Sequence, residues 1–93
     1  MLTLDTVLRI PEYVMFTTIE QDVVLLNAST GNYYSLNQVG ARFWHLLSEG
    51  KTLREIHRVL LVEFEVVSSQ LKQDLLELVG QFQESGLVDV AKI

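Results

Sequence analysis

The chain contains no cysteine, which excludes disulfides, thiolate metal sites and cysteine nucleophiles. That absence fits a reducing cytosol. No run of about 18 apolar residues occurs, so no transmembrane helix is expected. A secretory signal is equally unexpected, because Asp5, Pro11 and Glu12 interrupt any apolar run near the N-terminus. Basic residues are few. Seven Lys and Arg face twelve Asp and Glu, for a net charge of −5 and a pI near 4.8. Nucleic-acid binding works by neutralising phosphates, and this balance opposes it. There is also no glycine-rich phosphate loop after a strand, since the five glycines fall at turns, at helix ends or inside helices. His45 and His57 sit on different predicted helices without a metal-spaced partner, so both read as structural. No nucleophile can be paired with a base. The expectation is a non-enzyme with no metal and no cofactor.

What is present is a 93-residue chain with 48% hydrophobic residues, enough for one compact domain and too many for disorder. A short strand is expected at 7–10, ended by Pro11, the single proline. Tyr13–Ile19 is rich in β-branched and aromatic residues and reads as a strand. Glu20-Gln21-Asp22 is a polar turn. Val23-Val24-Leu25-Leu26 is apolar on both faces, which predicts a central strand covered on both sides. Ala28-Ser29-Thr30-Gly31 forms the next turn, and Asn32–Leu36 the third strand of a meander. Being last, that aromatic strand is a candidate edge.

Asn37 follows it directly and is a strong helix N-cap. Val39, Phe43 and Leu46/Leu47 then recur at helical spacing, and Gly50 suits the C-terminal end. Thr52-Leu53-Arg54-Glu55 matches a capping box and opens a second helix with a stripe of Leu53, Ile56, Leu60 and Phe64. A third helix starts near Ser68 or Ser69, carries Leu71, Leu75, Leu78 and Phe82, and ends at Gly86. Leu87 and Val88 then fold back or add a short strand. The whole is an α+β outline, a three-stranded antiparallel sheet followed by three helices, as in a winged helix. Val14, Phe16, Leu25, Leu36, Phe43, Trp44, Leu47, Ile56, Leu60, Leu75, Leu78 and Phe82 are the expected core.

At roughly 100° per residue, Lys72, Leu76, Val79 and Gln83 lie on one flank of the third helix. Asp74, Glu77, Gln81 and Glu84 lie on the other and are expected in solvent. Leu76 and Val79 either widen the buried face or line a groove beside the edge strand. Insertion of this helix into DNA is disfavoured by Asp74, Glu77 and Glu84 against Lys72 alone.

In order along the chain, Tyr34-Ser35-Leu36-Asn37, Gly40, Trp44 and Gly50, then Asp74, Leu75, Leu78 and Gly86-Leu87-Val88, resemble the pattern of the PqqD-like family over about residues 12–90. These small domains are known as RiPP recognition elements and bind the leader segment of a ribosomally made precursor peptide. Among them, the run Asn27-Ala28-Ser29-Thr30-Gly31-Asn32-Tyr33-Tyr34-Ser35-Leu36-Asn37 looks most like the free-standing recognition proteins of lasso peptide clusters. The resemblance implies a cytoplasmic, non-catalytic adaptor. Its partners would be the precursor leader, a transglutaminase-like leader peptidase and an asparagine-synthetase-like cyclase. It also implies that the leader adds a strand to the third strand and lies against the third helix, anchored by a Tyr and a Pro. The matching positions are Asn32, Tyr33, Tyr34, Ser35, Leu36, Lys72, Leu76, Val79 and Gln83. A peptide chaperone of pyrroloquinoline quinone assembly and a winged-helix regulator are the alternatives.

Overall fold

The structure is a computed structural model that describes residues 2–20 and 22–91. Three strands, β2 (Val14–Ile19), β3 (Asp22–Asn27) and β4 (Asn32–Leu36), form an antiparallel sheet in the order β2-β3-β4. Three helices follow, α1 (Gln38–Ser48), α2 (Leu53–Glu63) and α3 (Ser68–Glu84). The expected α+β meander with three helices is therefore the observed fold. Two short strands, β1 (Leu8–Arg9) and β5 (Asp89–Val90), pair antiparallel with each other as a separate two-stranded sheet. Of the expected turn at Glu20-Gln21-Asp22, Gln21 lies outside the described residues. Glu20 takes a φ of 58°, the left-handed region that tight hairpins demand.

Local chemistry explains the element ends. Asn37 Oδ1 accepts from the Gly40 N–H at 2.9 Å and starts α1. Thr52 and Glu55 close the predicted capping box, with Glu55 N–H donating to Thr52 Oγ1 at 3.1 Å and Thr52 N–H to Glu55 Oε1 at 3.0 Å. At the end of α3, Gly86 adopts a φ of 72°, and Leu87 N–H donates back to the Phe82 carbonyl at 2.8 Å. This left-handed cap turns the chain so that Leu87 and Val88 are buried against the core.

One face of the sheet packs on the helices. Register places Phe16, Leu25 and Tyr34 side by side on that inner face, and Met15, Leu26 and Tyr33 on the outer one. Trp44 and Phe43 are fully buried, each ring packed on Phe82. Trp44 Nε1 has no hydrogen-bond partner.

Three expectations about burial need correction. Phe16 is 44% exposed, because it stands on edge strand β2. It still meets Trp44 edge-on at 6.2 Å between ring centroids. Leu78 is only half-buried, because it faces the groove described below. β3 is central in the sheet but not covered on both faces, since Val24 and Leu26 on its outer side are half-exposed.

Candidate functional site

β4 ends the sheet, so one side of its backbone has no strand partner among the described residues. Such an edge carries unpaired N–H and C=O groups able to pair with another chain. Beside it, between β4 and α3, runs an open groove of about 510 Å³. Its apolar lining comes from Leu36 at the end of β4 and from Leu71, Leu75 and Phe82 on α3, with half-buried Leu78 among them. Tyr34 and Ser35 line it from the strand side, and Asp74, Gln81 and Ser85 from the helix side. Val39 and Val66, both partly exposed, add apolar surface from the start of α1 and from the α2–α3 connection. Asp74 is the one charged side chain among these described lining residues, and it accepts from Gln70 Nε2 at 2.9 Å.

The nine nominated positions divide. Tyr34, Ser35 and Leu36 line the groove. Asn32 and Tyr33 belong to the edge strand but not to that lining, and the period of two explains Tyr33. It is 71% exposed on the outer face, where it borders a shallow cleft with Met15, Val24 and Leu26. Lys72, Leu76, Val79 and Gln83 lie on the other flank of α3 and line no part of the groove. Val79 is 0% exposed and belongs to the core. Gln83 instead borders a depression formed with Arg9, Asp89 and Val90.

The physical reason for this reversal is the N-terminal segment. Leu2 packs beside Gly80, where an added Cβ would sit 4.0 Å from Leu2 Cδ1. Leu4 is buried in the core cluster, and Asp5 holds the segment to α2 by accepting from Arg54 at 2.9 Å. Leu2 needs apolar cover, and it sits at Gly80, one turn on from Leu76 on the flank to which the sequence assigned the groove. The groove-facing residues that sequence reasoning left in solvent are Asp74 and Gln81. Only one flank of α3 can face β4, and no local pattern marks which.

No cluster of three His, Cys, Asp or Glu side chains is placed to hold a metal among the described residues. His57 Nε2 donates to the Ser68 carbonyl at 3.0 Å and ties α2 to the start of α3. His45 lies 3.4 Å from Thr18 Oγ1, with its ring edge-on to Phe16. At the far end of α2, Arg42 grips Glu63 with bonds of 2.8 and 2.7 Å. That bond holds the Glu63 carboxyl below its ordinary value and raises Arg42. Glu55 is likewise lowered, first by the Thr52 backbone N–H and then by its hydroxyl. These charges sit away from the groove. No described helix is long and apolar enough to cross a membrane.

Fold and groove together define a winged-helix-like α+β domain with an open edge strand beside an apolar cleft. The family model described as coenzyme PQQ synthesis protein D (PqqD) matches residues 22–88, and the chain belongs to this family. It is similar to the solved structure of TbiB1 in complex with the TbiA(beta) leader peptide. The two share 32% identity at a TM-score of 0.87, covering 91% of this chain and 99% of that one. A second similar structure, lasso peptide synthetase B1 complexed with the leader peptide, is 24% identical with a TM-score of 0.82. It covers 89% of this chain and 98% of that one, and bears on the fold alone. Among curated proteins there is no match.

Proposed function

We propose that this chain is a non-catalytic adaptor that binds the leader segment of a ribosomally synthesised precursor peptide. The leader adds as a strand to the free edge of β4 and lays alternate side chains into the groove against α3. Main-chain bonds along the edge supply affinity, and pockets for alternate side chains supply selectivity. The observation that carries this reading is the coincidence of an unpaired edge with an apolar groove along its length. It is supported by likeness to TbiB1, a leader-bound protein at 32% identity.

The site residues in this reading are Tyr34, Ser35 and Leu36 from β4, with Leu78, Asp74 and Gln81 from α3. A largely apolar groove with a lone carboxylate suits an extended segment with apolar anchors and no excess of acid. The chain acts in the cytoplasm as one recognition unit and presents the precursor to a transglutaminase-like leader peptidase and an asparagine-synthetase-like cyclase. Holding the precursor near them raises its effective concentration without any chemistry by this chain. The family's name favours a second reading, a peptide chaperone of pyrroloquinoline quinone assembly. It uses the same groove with a different peptide.

Calorimetric titration with synthetic TbiA(beta) leader, paired with hydrogen exchange, tests the proposal. Binding at one site with new protection of the Tyr33–Leu36 amides is expected. Binding that leaves those amides unchanged refutes strand addition, and preference for a quinone-pathway precursor over the TbiA(beta) leader selects the second reading.

A further inference from the structure

Asn27 is the buried polar side chain of the described core, 2% exposed, and its bonds join the two walls of the groove. It ends β3, opposite Asn32 at the start of β4. Its Oδ1 accepts from the Ser29 N–H at 3.0 Å and from the Thr30 N–H at 3.3 Å. Its own carbonyl accepts from the Gly31 N–H at 2.7 Å. One end of the amide therefore shapes the turn that launches β4. The other end reaches across the fold, where Nδ2 donates to the Ser85 carbonyl at 3.0 Å. Ser85 caps α3 and lines the groove.

The fit is close from the helix side as well. A Cβ on Gly86 would stand 2.9 Å from Asn27 Nδ2, and Gly86 holds a φ of 72° that side chains resist. Two features of the α3 cap thus accommodate one amide. A buried amide with both ends bonded is held in one orientation, since loss of either partner strands a polar atom out of water.

We infer that Asn27 is a positioning residue for peptide binding: it sets the separation of β4 from α3, and so the width of the groove, without itself lining it. This rests on the leader-binding reading above. An extended peptide must reach the β4 backbone and the α3 side chains together, so a change in wall spacing costs one set of contacts or the other.

The test compares N27D, which keeps the acceptor for the turn but replaces the donor to Ser85, with Gly86→Ala, which crowds the same contact from the helix side. Leu60→Ala, buried on α2 away from the groove, serves as a destabilised control. Each full-length variant is titrated with synthetic TbiA(beta) leader, and hydrogen exchange is followed on the free proteins. Both clamp variants should bind at least fivefold more weakly, mainly through faster dissociation. Both should exchange faster at Tyr34–Leu36 and at Ser85–Leu87. Leu60→Ala should bind within twofold of the unaltered chain even where its melting temperature falls further.

Normal affinity in a folded clamp variant, or weakening matched by Leu60→Ala, overturns the inference. So does failure of both clamp variants to fold, which assigns Asn27 a purely structural role. Absence of binding by the unaltered chain sinks the leader reading instead. The free-protein exchange is independent of it, and unchanged exchange at either wall removes the clamp on its own.

Discussion

Truncating three neighbouring residues of α3 separates core from groove. Val79 is wholly buried, so Val79→Ala removes two carbons worth about 0.8 kcal/mol each by transfer. The cavity left behind adds to that, for a loss of roughly 2–3 kcal/mol in folding. In a domain of this size each kcal/mol moves the melting temperature by about 4–8 °C, so a fall on the order of 10–20 °C is expected. Leader affinity should be nearly unchanged at a temperature where the variant is folded. Leu78 is half-buried in the groove wall, so its side chain divides its burial between folding and binding. Leu78→Ala should cost roughly 1 kcal/mol of stability and a similar amount of binding, about five- to tenfold in Kd. Leu76 is also half-buried but lies on the flank away from the groove. Leu76→Ala should therefore cost stability alone. Thermal melts and calorimetry on the three variants supply both axes. A Val79→Ala protein that melts within 2 °C of the unaltered chain (about half the smallest shift for 1 kcal/mol) yet binds tenfold more weakly would refute this orientation of α3.

Two further outcomes follow from the strand and from the carboxylates. Tyr34→Ala should weaken leader binding severalfold while Tyr33→Ala changes it little, because the two rings stand on opposite faces of β4; equal losses by calorimetry would contradict the strand's register. Glu55 and Glu63 both titrate below their ordinary value of 4.5 in the folded chain. Their stabilisation is present above that value and is lost as pH falls through the lowered one. Melting curves of the unaltered chain and of Glu55→Gln/Glu63→Gln should therefore converge between pH 7 and 3, and parallel curves would show that these carboxylates carry no linkage.

Much of the fold was legible because its signals are local. Asn37, the Thr52–Glu55 box and Gly86 each fix an element end through bonds reaching only a few residues along the chain. The meander order followed from short links between strands. The strand half of the candidate site was legible for the same reason, since an aromatic strand placed last before the helices is an edge. The helix half was not. A helical wheel shows two flanks beside the core stripe, and Leu76 and Val79 make the one turned away from the groove look available. What separates them is the approach of Leu2 to Gly80, nearly eighty residues along the chain, which no local pattern encodes. Asn27 carries no local signal either, because the bond that distinguishes it lies at Ser85, 58 residues on.

The small β1–β5 sheet has a consequence for assembly. It pairs Leu8 with Val90 and Arg9 with Asp89, and an Arg9–Asp89 ion pair of 3.2 Å spans it. The segment after α3 is thus held beside Gln83, on the flank of α3 turned away from the groove. A cargo fused through a linker after Ala91 would start beside Gln83, with the peptide cleft left open. Linker length would then set how far a tethered catalyst can reach round to a bound peptide.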